Sequence, residues 1–445
     1  MCVPPSLRER RGAPCPGSKR GGHAARNNPA LRGRPRVRAC SCRSSPGRGA
    51  LVGSWTQPHR GDGALMDPHS TIAEFSLVKG GLLFETERRL RRGPRKRYDP
   101  VLRALAFSAI GWLPLLIFTL PSGGPTVGSL FRELQVHAQL LVALPVLLAA
   151  EPYIDGRLAF AVRQFLNSNL VATDGLQTFA ADARRAMRWR DSYIVEALLL
   201  ILAYALTFIT PADATRSWTV SGDGFSMAGW WNLAVSQPLF RFLALRWIWR
   251  GVVWSAFLLR VSRLPLTLVP THPDMMGGLG FLPICQASFS PVVFSLAVVV
   301  AAYTSRVEPK DLSANPAAYV IPLVVIAAGA VVLVFAPMSF FVPQLVRAKR
   351  IGDEDFSKVA AKHSWQFEHK WFRGGPEPEL LGVPEMSSLA DIGTAFTLAR
   401  RMRLFLWDKM ALLAVVGAAL APLLMLLVMD RQFISVLKFI HDGLR

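Results

Sequence analysis

Seven blocks of roughly 20 predominantly apolar residues recur along the chain, near 101–120, 134–151, 192–210, 238–259, 281–303, 318–342 and 410–429. A helix rises 1.5 Å per residue, so about 20 apolar residues match the ~30 Å hydrocarbon core of a bilayer. No water is present there to satisfy backbone N–H and C=O groups, which leaves helices as the form such blocks take. Composition matters at one point. Of 445 residues 51% are hydrophobic and only 18% charged, against about 25% charged in soluble domains, too few to cover the apolar surface in water. The pattern predicts an all-α fold, a polytopic transmembrane helix bundle of about seven spans. No internal repeat is visible, and an odd number of spans offers no inverted pair of halves.

The formal charge of +21 is unevenly spread. Residues 1–65 hold 13 Lys and Arg against two acids, Glu9 and Asp62, among many Gly, Pro and Ser. Such a segment lacks the large apolar residues that offset ordering entropy, and it is expected to be a disordered tail upstream of a translation start at Met66. A targeting peptide or a tether for nucleic acid or anionic lipid is the rival reading, but no amphipathic stripe supports it. Four of the five cysteines lie in this tail and the fifth, Cys285, in an apolar block, so neither a disulfide framework nor a zinc site follows.

Of the 38 Lys and Arg from residue 66 onward, 28 lie on the side that would carry the cluster Arg88–Arg97 if the seven spans alternate, seven on the other, and three inside span four. The positive-inside rule then predicts a cytoplasmic N-terminus and an external C-terminus. Basic residues used to set topology leave no case for nucleic acid as a partner. The bilayer is the expected partner, and oligomeric state is not specified.

Two connections on the basic side are long. The first holds a short basic helix, Phe179–Arg190, with apolar positions Phe179, Ala183, Ala186 and Met187 suited to the inner leaflet. The second, a helical cytoplasmic insert at 343–409, reads as helices at about Asp353–Trp371 and Ser388–Arg403, separated by a Gly/Pro run. An interfacial helix is expected at 431–445.

Span four contains Arg241, Arg246 and Arg250. At about 100° per residue, Arg246, Arg250 and Arg260 share one face. A buried arginine costs a few kcal/mol, so it must face water or a partner. One reading is an anion pathway lined by Arg246 and Arg250; the other is a structural ion pair with Glu151 of span two or Glu196 of span three. Both acids, with Asp155 and Asp191, are placed at the cytoplasmic ends of their spans. A bundle that closes the two guanidinium groups against Glu151 or Glu196 speaks against the pathway.

The loop into span five carries Thr271-His272-Pro-Asp274-Met-Met-Gly277-Gly278-Leu-Gly280. Asp274 is placed to accept backbone N–H groups at the helix start, and the glycines allow a close approach to the backbone. With His272 beside it, this helix end suits a carboxylate, a phosphate or a proton; a tight turn that merely packs helices together is the alternative. Neither GxGxxG nor GxxxxGK[ST] occurs. Around His363 an H-x-x-E-H order would need histidine where Trp365 stands, so no metal and no cofactor are expected.

Thr271–Leu282, preceded by Arg260-Val-Ser-Arg-Leu-Pro-Leu, resembles a family of uncharacterised bacterial multi-pass inner-membrane proteins with a THPDxxGGLGFL loop. Ala150–Leu158, Ser387–Gly393 and Arg400–Arg403 strengthen the resemblance. It covers roughly residues 66–445 and implies a bacterial inner-membrane location, without lending a catalytic residue.

The first expectation for function is non-enzymatic: a small anionic or proton-coupled solute is bound or moved through a polar cavity. Arg246, Arg250, Glu151 and Glu196 would form the interior, with His272, Asp274, Gly277, Gly278 and Gly280 at its cytoplasmic mouth. The alternatives are a membrane-embedded enzyme acting on a lipid or lipid-linked substrate, with His272 as base and Asp274 or Asp155 as its orienting partner, and a scaffold or signalling module that binds partners through 343–409.

Overall fold

Each apolar block is helical in the computed structural model, which describes residues 67–81, 100–209, 218–221, 224–304, 317–374 and 384–429. The tail 1–65, the basic cluster Arg88–Arg97 and the helix expected at 431–445 lie outside the described residues. Asp67 caps α1 (Pro68–Ala73), accepting from the His69 N–H. Then come α2 (Pro100–Thr119), α3 (Gly124–Phe131) and α4 (Leu134–Asn167), the last with a π turn at Ala138–Ala143. α5 (Leu176–Arg190) and α6 (Tyr193–Ile209) follow, meeting at 42°. A two-residue antiparallel hairpin, Val220–Ser221 with Gly224–Phe225, precedes α7 (Met227–Val261), which has a π turn at Asn232–Ser236. α8 (Phe281–Tyr303), α9 (Ala317–Phe335), α10 (Val342–Phe372), α11 (Pro384–Arg401) and α12 (Lys409–Met429) complete the described chain.

Among the described residues five helices are long and apolar enough to cross a membrane, and six if α5 and α6 form one bent span. α6 alone has 17 residues, while α12 runs for 21. The protein is thus an all-α membrane bundle, with helices at all seven expected positions and, among the described residues, five or six of full spanning length and hydropathy.

Two helix boundaries and the placement of α5 differ from expectation. Span two does not end at Glu151-Pro152; α4 carries Pro152 inside it and runs on to Asn167. Neighbouring helices can satisfy the carbonyl that a proline frees, which is why membrane helices tolerate it. Glu151 and Asp155 are therefore interior residues, 2% and 8% exposed, rather than helix-end charges. α5 does not lay its apolar stripe on lipid. Phe179, Ala180, Ala183 and Ala186 are buried in protein, with Phe179 packed 5.8 Å from Phe165 and 5.7 Å from Phe257. Its alanines are small enough for a helix to sit closely against another. The insert helix begins at Val342, not Asp353, and carries Gly352 inside it, where a Cβ would lie 2.6 Å from Pro270 Cβ.

The connections assigned to one side do meet at one end of the bundle. Arg184 Nη1 reaches Thr71 Oγ1 of α1 at 3.2 Å, and Val171 forms a bridge with Leu266. Gln344 Nε2 donates to the Ser262 and Leu264 carbonyls at 2.5 and 2.7 Å. The Arg403 N–H donates to the Met275 carbonyl at 2.7 Å. α10 and the chain just after α11 are thereby joined to the segment 262–280.

Candidate functional site

The interior holds a cluster of five charged side chains from four helices. Glu151 of α4 stands at its centre. Arg250 of α7 donates to Glu151 Oε1 at 2.8 Å, and Arg103 of α2 donates to Oε2. Arg246, one turn before Arg250, places Nε 3.5 Å from Glu196 Oε1 and Nη1 3.9 Å from Glu151 Oε1. Arg250 also lies 4.8 Å over the Trp247 ring. The helical repeat explains the pairing of Arg246 with Arg250: positions i and i+4 share a face. Arg103, Glu151, Glu196, Arg246 and Arg250 are all 5% exposed or less.

A segment with no charged side chain in contact completes the cluster. After α1 the chain turns inward, burying Phe75, Ser76, Leu77 and Val78. Asp155, one turn beyond Glu151, accepts from Ser76 Oγ at 2.8 Å, from the Leu77 N–H at 2.8 Å and from the Val78 N–H at 3.2 Å. The carbonyls then meet the arginines: Arg246 donates to Gly80 O at 3.0 Å, Arg250 to Val78 O at 3.5 Å and Arg190 to Ser76 O at 2.5 Å. Gly81 has φ +88°, and a Cβ there would lie 2.2 Å from Glu196 Oε1, so only glycine brings the chain this close. Residues 75–81 are thus pinned from both faces of their backbone.

The loop 264–280 is a second, separate arrangement. Asp274 accepts from the Met276 N–H at 2.8 Å, the Gly278 N–H at 3.1 Å and the Gly280 N–H at 2.8 Å. It accepts as expected, but the N-cap of the helix is Gly280 itself. The helix end suited to an anionic group is therefore occupied by the chain's own carboxylate. The glycines are approached by the chain too: a Cβ at Gly277 would lie 2.9 Å from Met402 Cε, at Gly278 3.1 Å from Leu170 Cδ2, and at Gly280 2.9 Å from Asp274 Cβ. Gly277 and Gly278, at φ +68° and +99°, also hold conformations that L-residues disfavour.

His272 Nδ1 lies 2.8 Å from Asp274 Oδ1 and 3.3 Å from the Asp274 backbone N. The first contact requires a proton on Nδ1 and the second a lone pair; the shorter contact, to a carboxylate, selects the Nδ1–H tautomer. Burial pushes the Asp274 carboxyl up, but the three backbone N–H bonds and His272 outweigh it and hold it below the usual aspartate value. A depressed folded pKa contributes stability that is complete above the unfolded value of about 4 and disappears as pH falls through the folded value. Wild type is therefore expected to exceed Asp274→Asn in stability by a constant margin above about pH 5, and the margin shrinks below about pH 4. Unfolding followed across pH 3–7 checks this; a margin that widens on acidification contradicts it.

Arg246, Arg250, Glu151 and Glu196 are brought together, and so are His272, Asp274, Gly277, Gly278 and Gly280. Arg260, expected on the face of Arg246 and Arg250, instead pairs with Asp182 at 3.6 Å and lies over Trp189. Comparison with protein-family models, with curated proteins and with solved structures finds no match. Sequence reasoning missed Arg103 and residues 75–81. A lone arginine three residues into an apolar block was the signal for the former; the latter act through backbone groups, which leave no signature in side-chain types. Among the described residues no group of three His, Cys, Asp or Glu could hold a metal ion.

Proposed function

We propose that this integral membrane protein acts at the cytoplasmic interface of a bacterial inner membrane on a lipid or lipid-linked substrate, with His272 as general base and Asp274 as its orienting partner. The observation that carries this reading is the 2.8 Å contact between the two side chains, with the His272 side chain 42% exposed. With Nδ1–H directed to the carboxylate, the ring is held in one tautomer and the lone pair of Nε2 is presented to take a proton from a hydroxyl or water. The loop resemblance and the concentration of basic residues on this side support the location.

Vesicles of bacterial lipid extract containing the purified protein, sampled over time by mass spectrometry, test it. Wild type is expected to deplete one lipid species, and His272→Asn to do so at least about 100-fold more slowly, the usual scale of a general base. No depletion by wild type, or equal rates, sinks the proposal.

The solute reading retains one supporting observation: Arg246 Nη1 is buried without a hydrogen-bond acceptor among the described residues. The closure of both guanidinium groups on Glu151, Glu196 and residues 78–80 weighs against it. It requires that 75–81 leave their place. Flux of a small anion into vesicles, abolished by Arg250→Ala in a protein that still folds, would restore it.

A further inference from the structure

A cavity of about 380 Å³ opens between α7, α8 and the end of α9, sharing no residue with the loop 264–280 and reaching the charge cluster only through Trp247. Its wall is hydrocarbon: Ile248, Val252, Leu259, Val292, Leu296 and Leu333 are typical of it. Two polar side chains reach the lining, Ser255 and Gln286, and both are satisfied internally. Ser255 Oγ donates to the Gly251 carbonyl at 2.8 Å; Gln286 accepts from Trp254 Nε1 at 2.8 Å and donates to the Val334 carbonyl at 2.5 Å. The cavity therefore asks for no hydrogen bond and favours an apolar occupant. Its volume lies in the lower part of the range of about 300–1,000 Å³ seen for ligand pockets.

Length and charge narrow the occupant. From Trp247 to Leu259 the wall on α7 runs about 18 Å at 1.5 Å per residue, close to the ~15 Å depth of one leaflet of a ~30 Å hydrocarbon core. Leu259 is one turn from Arg263, which is exposed just beyond the helix end. Phe340, also in the lining, precedes Gln344, whose amide binds the carbonyls on either side of Arg263. Arg347, one turn further along α10, is exposed as well. An apolar slot one leaflet deep thus stops one turn short of exposed Arg263 on one wall and about two turns short of exposed Arg347 on another.

We infer that this cavity holds one acyl chain of an anionic phospholipid, whose phosphate rests on Arg263 and Arg347. It is a structural lipid site that shares no residue with the His272–Asp274 pair, and it stands whether or not that pair is reactive. The wall offers a clean test. A Cβ built on Gly251 meets nothing within 4 Å, so a larger side chain there enters the cavity without striking backbone. Ile248, 49% exposed on the rim, gives a second blocking position that leaves the interior untouched.

The full-length protein is reconstituted in vesicles of equal parts phosphatidylglycerol and phosphatidylcholine, extracted in mild detergent and weighed intact by mass spectrometry. Wild type is expected to retain one phosphatidylglycerol. Gly251→Leu and Ile248→Trp lower the retained fraction at least tenfold, with unchanged elution in gel filtration. Arg263→Gln with Arg347→Gln leaves a lipid bound but removes the preference for phosphatidylglycerol. If the folded blocking variants retain the lipid as wild type does, the site is elsewhere and the inference fails. Retention of a free fatty acid, of phosphatidylcholine at equal level, or of no lipid until residues 430–445 are deleted overturns it equally.

Discussion

Glu151→Gln is expected to cost about 3–5 kcal/mol of stability, the scale of breaking a buried ion pair from one side. Oε1 takes the 2.8 Å bond of Arg250 and Oε2 that of Arg103, while Arg246 lies 3.9 Å away. All three guanidinium groups are at most 5% exposed, so none can turn to water when the carboxylate is neutralised. The amide keeps the shape of the side chain but accepts at one atom only. Denaturant unfolding of the purified protein in detergent measures the effect. Replacing Arg103, Glu151 and Arg250 together by Met, Leu and Met is expected to cost far less than the single change, because no charge is left stranded. A single variant within about 0.5 kcal/mol of wild type, the usual range of surface changes, would mean that the cluster is not closed.

Asp155→Ala is expected to release residues 75–81 without unfolding the bundle. The carboxylate is the acceptor for Ser76 Oγ and for the Leu77 and Val78 N–H groups, and each buried donor left unpaired costs about 1–3 kcal/mol. The carbonyl contacts to Arg246 and Arg250 cannot hold the segment alone against that sum. Lys79 is exposed even in the intact protein, yet residues 75–78 before it are buried and the Gly80 carbonyl after it is held by Arg246, so trypsin finds the bond after it only when the segment opens. Cleavage there is expected to accelerate at least 100-fold in the variant, with the sites in α7 and α4 still resistant. Equal cleavage in both proteins would show that Asp155 does not hold the segment.

The helices were legible because bilayer thickness imposes a length that apolar blocks repeat. Their ends were less so. Pro152 read as a terminus, yet it lies within α4, and that one difference moved Glu151 and Asp155 from the surface to the interior. Arg246 and Arg250 stood out because arginine is expensive in an apolar run, and Glu151 and Glu196 were the acids at hand to answer them. Arg103 was masked by its place near the start of a block, where a basic residue reads as a topology signal. Asp274 showed itself by its position before a glycine-rich turn, but side-chain types do not reveal whether a ligand or the chain itself approaches those glycines. Met402, Leu170 and Asp274 are what approach them.

Closure of the buried charge cluster around residues 75–81 is the claim on which the rest turns, and amide hydrogen exchange at Leu77 and Val78 in the membrane-reconstituted protein tests it most directly. Both N–H groups point to Asp155 in the interior, at 2.8 and 3.2 Å. They are expected to exchange as slowly as the amides in the buried middle of α7. Exchange at the rate of an open loop, in a protein whose helices remain protected, would contradict the account.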